Sequence, residues 1–359
     1  MTRNVKDLDQ WLSLAGPVAV VLREQLIPVE GADGVVFPPT FAAAEDKSKF
    51  SGGYNIDVAS DGSNVCIIDT VGSQANRMEP VFAEPPYRDL VPQVVIKAGS
   101  REVNLLEAGH RAGDAIVRCT ELHADLKAAF EAALRGDADP LARIAPTSVV
   151  FGVWDSRDTQ AKMPRLVSST IRAFNVSRLT RAAQYVPATD YVEDALLEDT
   201  DNKTLRDAYA KWGFSHVPSS GAPGGVIAKG GIRRDATLSL AALRQLTAGK
   251  DADRTLALRR YILGLSLVAF TQPGAGYLRQ GCNLVGDPEK PATCDVVYRD
   301  GRREALAITH EDAIGYAAEA AKAFGVAPER TLEFDKTRAA AEVSGDGADD
   351  KPARKAKKK

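Results

Sequence analysis

Segments of strand character and segments of helical character interleave along this chain without a regular βαβ alternation. That irregularity constrains the fold most. A doubly wound parallel sheet needs a crossover helix after nearly every strand, so the α+β class is favoured. Residues 18–29, rich in Val, Ile and Leu and ended by Pro28, read as a strand, as do residues 147–153 and 168–179, while residues 65–68 read as a short strand or a helix entry. Residues 93–106 predict a hairpin turning at Gly99-Ser100, and Asp300-Gly301 marks a second hairpin. Helical patterns occupy residues 4–14, 69–78, 108–134, 203–212, 238–246 and 254–270. Thr309 opens another helix through a capping box with Asp312, and Gly325 closes it. Residues 30–62 and the Gly/Pro-rich residues 218–231 read as loops. From Thr337 onward the sequence is Ala, Asp, Gly and Lys, the composition of a disordered basic tail.

The 359 residues are 44% hydrophobic, enough for a sizeable core in one or two domains. The most apolar run, residues 261–270, is half of the roughly 20 residues a membrane span needs. With a polar, charged start, the expectation is a cytoplasmic protein. Cys66, Cys119, Cys282 and Cys294 stand far apart, which predicts reduced structural thiols and neither a disulfide framework nor a zinc site.

Catalytic signatures fail in turn. His310-Glu311 lacks the second histidine of a zinc-protease helix, and residues 225–231 lack the Gly-Lys-Ser/Thr ending of a phosphate loop. Gly274-Ala-Gly276 follows a helical pattern where a dinucleotide fold needs a strand, and no serine sits in Gly-x-Ser-x-Gly. His123 and His216 have no local partner and read as partly exposed structural histidines. No catalytic residue, cofactor or metal is expected.

Charge is more informative. The net charge of −2 hides an uneven distribution: residues 156–185 carry Arg157, Lys162, Arg165, Arg172, Arg178 and Arg181 against Asp158 alone, while acid gathers at residues 190–201. Irregular cation spacing suits backbone phosphates. On one strand, Arg172, Phe174, Val176 and Arg178 share a face, which fits either a groove floor under nucleic acid or arginines extending from a half-buried sheet. Ser73, Gln74, Asn76 and Arg77 suit phosphate and sugar oxygens, or a polar helix face that caps loops. Lys229, Arg233 and Arg234 surround Gly230-Gly231, where small residues permit close approach of an anion. Aromatics are only 6%, so backbone contact is favoured over base stacking.

Six segments together resemble the backbone subunit of type I CRISPR effector complexes. They are Val-Val-Phe-Pro-Pro-Thr-Phe (35–41), Asp-Thr-Val-Gly-Ser-Gln-Ala-Asn-Arg-Met-Glu (69–79), Val-Phe-Gly-Val-Trp-Asp-Ser-Arg (150–157), Pro-Arg-Leu-Val-Ser-Ser-Thr-Ile-Arg-Ala (164–173), Leu-Thr-Arg-Ala-Ala-Gln-Tyr (179–185) and Gly-Ile-Arg-Arg (231–234). The resemblance is to the subtype I-U (I-G) variant of the RAMP superfamily, and it spans residues 17–325. It implies one RRM-like (ferredoxin-like) palm over residues 1–336 with inserted finger and thumb segments, followed by the tail at 337–359. It further implies a non-catalytic ribonucleoprotein subunit for antiviral defence. Copies stack head to tail along the guide CRISPR RNA, beside other Cascade subunits, and target DNA is met through the guide. Gln74, Asn76, Arg77, Arg157, Arg165, Arg172 and Arg181 match the family's recurrent motifs and are expected to contact RNA. Lys162, Arg178, Lys229, Arg233 and Arg234 join them from the basic clusters. Met163 or residues 218–231 are candidates for the thumb, and the acidic residues 190–201 for a surface facing the next copy. Two alternatives stand beside this reading. One is a type III-like subunit that cleaves target RNA through a metal at Asp69, Asp155 or Asp158; the other is an enzyme acting on an anionic small molecule.

Overall fold

The computed structural model describes residues 8–274 and 276–344. Its centre is a nine-stranded antiparallel sheet assembled from distant parts of the chain. In chain order the main elements are β1 (Ala19–Pro28), β2 (Ile56–Val58), β3 (Asn64–Asp69), α1 (Val71–Met78), α2 (His123–Leu134), α3 (Pro146–Phe151), β4 (Val167–Phe174) and β5 (Val176–Tyr185). Then come α4 (Lys203–Trp212), β6 (Val217–Ala228), β7 (Ile232–Ser239), α5 (Ala252–Thr271), β8 (Tyr277–Arg279), β9 (Cys282–Gly286), β10 (Thr293–Val297), β11 (Arg303–Ala305) and α6 (His310–Phe324). The strand order is β8-β9-β1-β7-β4-β3-β2, with β10 on the same edge of β1 as β9 and β11 beyond it. A mixed α+β architecture follows, as the sequence predicts.

Strand alternation gives the sheet two faces. Val20, Leu22, Glu24 and Leu26 of β1 lie opposite Leu238, Ala236, Arg234 and Ile232 of β7. Those in turn lie opposite Val167, Ser169, Ile171 and Ala173 of β4. This inner face divides along its length. One half, with Val20, Val167, Ala236 and Leu238, joins the main core under α5 and α6. The other half, with Leu26, Ile171, Ala173 and Ile232, joins a smaller core with Cys66, Tyr54 and Cys282. The polar side chains Glu24, Arg234 and Ser169 occupy the seam between them.

Helix α5 is buried on every side over its second half. A helix apolar all round belongs in an interior, and α5 lies under α6. Gly264 permits their contact: a Cβ there would come within 2.8 Å of Ala317 Cα. Tyr261 stacks on Phe324 at 4.5 Å and donates its hydroxyl proton to the Leu90 carbonyl. Among the described residues no helix is long and apolar enough to cross a membrane.

Several local expectations are corrected. Residues 147–151 of the expected strand 147–153 are helical instead. Pro146 opens a helix whose six residues are all buried, and Gly152 at φ +79° ends it before a two-residue strand, Val153–Trp154. A short helix buried all round loses the amphipathic period that separates helix from strand. Residues 168–179 are two strands rather than one. Asn175 takes φ +48°, so β4 and β5 part into different sheets and Val176 is buried instead of sharing a face with Arg172. Residues 218–231 are mostly strand: β6 pairs with β5 across two register shifts that accommodate its prolines and glycines. Residues 238–246 hold the end of β7 and a four-residue helix, Leu240–Leu243. Within 108–134 the long helix begins only at His123, after two short helical turns. Lys336–Ser344 is helical, with Arg118 pairing to Glu342, so the tail expected from 337 begins as a helix; residues 345–359 lie outside those described.

Candidate nucleic-acid interface

The outer face of the sheet carries Arg23 of β1, Arg233 and Asp235 of β7, and Thr170, Arg172 and Phe174 of β4. Arg172 and Arg233 are direct cross-strand partners. Like charges placed opposite each other destabilise a sheet unless something compensates. Arg233 donates to Asp235 at 2.8 Å and lies 4.8 Å from the centre of the Phe174 ring. Arg172 donates to Thr170 Oγ1 at 2.6 Å and has no carboxylate. Arg23 shares Asp235 at 3.7 Å. Two guanidinium groups therefore share one carboxylate while a third, Arg172, has none, and the surplus positive charge suits an anion such as a phosphodiester.

A second basic cluster surrounds the ribbon formed by Val153–Trp154 and Lys162–Met163. Buried Asp155 fixes its turn, accepting from the Thr159 amide at 2.8 Å and the Thr159 hydroxyl at 2.7 Å. The turn exposes Arg157, and Lys162 lies 5.8 Å from the centre of the exposed Trp154 ring. Arg165 packs over Gly152, where a Cβ would meet its side chain at 2.7 Å. Partial burial of its guanidinium, reinforced by nearby Arg111, pushes the Arg165 pKa below its ordinary value.

Arg111 anchors this region from beneath, at a backbone φ of +53°. It forms a 2.6 Å ion pair with Glu79, and both side chains are buried. Burial pushes the Glu79 carboxyl up to about 7 against the opposing pull of Arg111 and Thr147. Arg111 also donates to Asn76 Oδ1 at 3.3 Å and so orients an exposed amide of α1.

The other α1 candidates turn inward. Thr70 caps the helix by accepting from the Ser73 amide. Gln74 then donates to Asp69 at 2.7 Å and accepts from Ser169 at 2.8 Å, while Arg77 donates to Asp69 at 3.1 Å and to the Leu278 carbonyl at 2.7 Å. Arg279 completes the shell of the fully buried Asp69 at 2.8 Å. Arg234 is buried as well, donating to Ser169 at 3.1 Å and facing Glu24 at 3.3 Å. Gln74, Arg77 and Arg234 thus belong to the seam between the two cores.

Arg178 and Arg181 stand exposed on β5, with Arg181 5.9 Å from the centre of the Phe37 ring, and Lys229 is exposed in the turn from β6 to β7. Among the described residues, Arg157, Lys162, Arg165, Arg172, Arg178, Arg181 and Lys229 have no carboxylate partner. The expected residues therefore divide: these seven and Asn76 face outward, Arg233 shares its acid, Gln74 and Arg234 are buried, and the part-exposed Arg77 is tied to Asp69. Sequence reasoning missed Arg23, Arg111 and Arg279. Arg23 had a signal in its strand alternation; Arg111 and Arg279 had none, since their acidic partners lie 32 and 210 residues away.

Asp158 contacts His123 at 2.5 Å, and His216 contacts Gln184 at 3.3 Å. No group of three or more metal-ligating side chains occurs among the described residues. No curated protein matches the chain. Residues 20–178, under half of the chain and including β1, α1, β4 and the Trp154 ribbon, match the family described as "CRISPR-associated protein GSU0053", which supports a role for this protein in CRISPR defence.

Proposed function

We propose that this protein is the RNA-binding backbone subunit of a type I CRISPR surveillance complex of the I-U (I-G) kind. Copies repeat head to tail along a guide RNA and take no part in cleavage. The observation that carries this reading is the set of seven cations without carboxylate partners among the described residues, distributed over the outer face, the ribbon and the strand pair β5–β6 with its turn into β7. Unpaired arginines and lysines at uneven spacing match a sugar-phosphate backbone, whose charge repeats while its local geometry varies. Strand order lends support: β10 and β9, then β1, β7 and β4, with helices in two of the connections, follow the 4-1-3-2 antiparallel order of an RRM-like palm. On that reading β5, α4 and β6 are an insertion between its second and third strands. The acidic residues 190–201 offer a surface for the next copy.

The test is purification from cells that carry the matching array and partner genes, followed by sizing and by absorbance with and without RNase. A large particle with RNA of uniform length that sequences back to the array is expected; a small, RNA-free species would reject the reading. Arg172→Ala is expected to weaken RNA retention regardless of sequence and to lower the salt slope by about one unit. Magnesium and labelled complementary RNA added to the particle should yield no guide-dependent fragments.

A further inference from the structure

The seam between the two cores opens into a cleft of about 320 Å³, at the lower end of the range for small-molecule sites. Its polar lining comprises Glu24, Arg234, Gln74, Arg77 and Gln272, and apolar side chains such as Leu26, Met78 and Leu284 line it as well. Three of these polar groups are committed elsewhere: Gln74 and Arg77 to Asp69, and Arg234 to Ser169. The acceptors are less well served. Glu24 makes one contact, through a single oxygen, at 3.3 Å, and the buried Gln272 Oε1 has no partner among the described residues.

We infer that this cleft takes a guanine-type base. The apolar side chains of the lining suit the face of a flat ring. Under-used acceptors call for adjacent ring and exocyclic N–H donors, which guanine presents at N1 and N2. Adenine would set its N1 lone pair against the carboxylate. A lysine or arginine side chain from a protein would meet Arg77 and Arg234 alongside Glu24, so a neutral donor-bearing ring is favoured. The base has two sources, a free guanosine nucleotide or a nucleotide turned out of a bound single strand. The assignment of the cleft does not rest on the guide-filament reading.

The full chain is titrated calorimetrically with GMP, AMP and CMP, and then with short single-stranded RNAs with and without guanine. GMP, or the guanine-containing RNA alone, is expected to bind about tenfold more tightly than its counterparts. A preference seen only with RNA identifies the strand as the source. Glu24→Gln should abolish the preference. Gly286→Leu should block binding by filling the cleft, since a Cβ there meets nothing within 4 Å. Circular-dichroism melting confirms that both variants fold. Equal affinity for all bases, absence of binding, preferential binding of a Lys-rich peptide, or a guanine preference that survives both variants would overturn the assignment. Loss of guanine preference with guide RNA still co-purifying separates this site from the guide-filament reading.

Discussion

The body of the molecule and the arm formed by β5, α4 and β6 are built on opposite terms. In the body, one face of each central strand is buried, α5 is enclosed, and distant charges pair across the chain. In the arm, Pro187 is the only buried residue between 177 and 224 whose side chain is described, and α4 buries none. Local devices shape the arm instead. Asn202 caps α4, Gly213 ends it in the left-handed region, Tyr191 meets Phe214 edge-on at 5.1 Å, and the Tyr209 hydroxyl donates to the Glu198 carbonyl. Trp212 is 72% exposed and Leu196 62%. Burial of apolar surface supplies most of folding's driving force, so the body carries the stability and the arm follows it.

Substitutions sharpen this contrast. Arg111→Ala strands the Glu79 carboxyl in the core and should cost about 3–5 kcal/mol by chemical denaturation; a loss under about 1 kcal/mol would mean the pair is not an anchor. Gly264→Val forces α5 away from Ala317 and should cost about 1–3 kcal/mol, read as a lower denaturation midpoint.

The third test uses pH. His310 bonds Tyr87 through Nε2 at 2.8 Å and Thr271 through Nδ1 at 2.9 Å. Because Thr271 Oγ1 already donates to the Leu267 carbonyl, the network assigns the proton to Nδ1. Burial lowers the pKa of His310 from its ordinary 6.5, so the unfolded chain binds the extra proton more readily than the folded one. Its stabilising contribution is therefore present above 6.5 and lost as pH falls through the folded value. The stability advantage of the native protein over His310→Gln should narrow from about pH 8 to about pH 5, and a constant advantage would contradict the assignment.

The smallest effect belongs to the arm. Trp212→Ala should change stability by no more than about 0.5 kcal/mol, and a melting curve displaced as far as that of Gly264→Val would erase the distinction between arm and body.

The same division governs what the sequence makes legible. The capping box of Thr309 and Asp312, the helix Lys203–Trp212 and the hairpin at residues 94–104 form as expected, because each is decided by residues within a few positions of one another. Helix α3 and strand β6 are misread from sequence, because enclosure removes the period of one and pairing overrides the glycines and prolines of the other. The candidate site is legible in composition but not in arrangement. The cations at 157, 165, 172, 178 and 181 are identifiable from sequence, while Arg234 and Gln74 carry the same chemical signal and are buried.

By itself the sequence determines the α+β class, the local caps and turns, and the concentration of positive charge in residues 156–185. Only the tertiary structure decides which charges remain free. Asp69 draws in Arg77 across 8 residues and Arg279 across 210, and Glu24 meets Arg234 across 210. The reason is physical: a buried carboxylate must be paired or pay a large desolvation cost, and the fold alone sets which cation arrives to pair it.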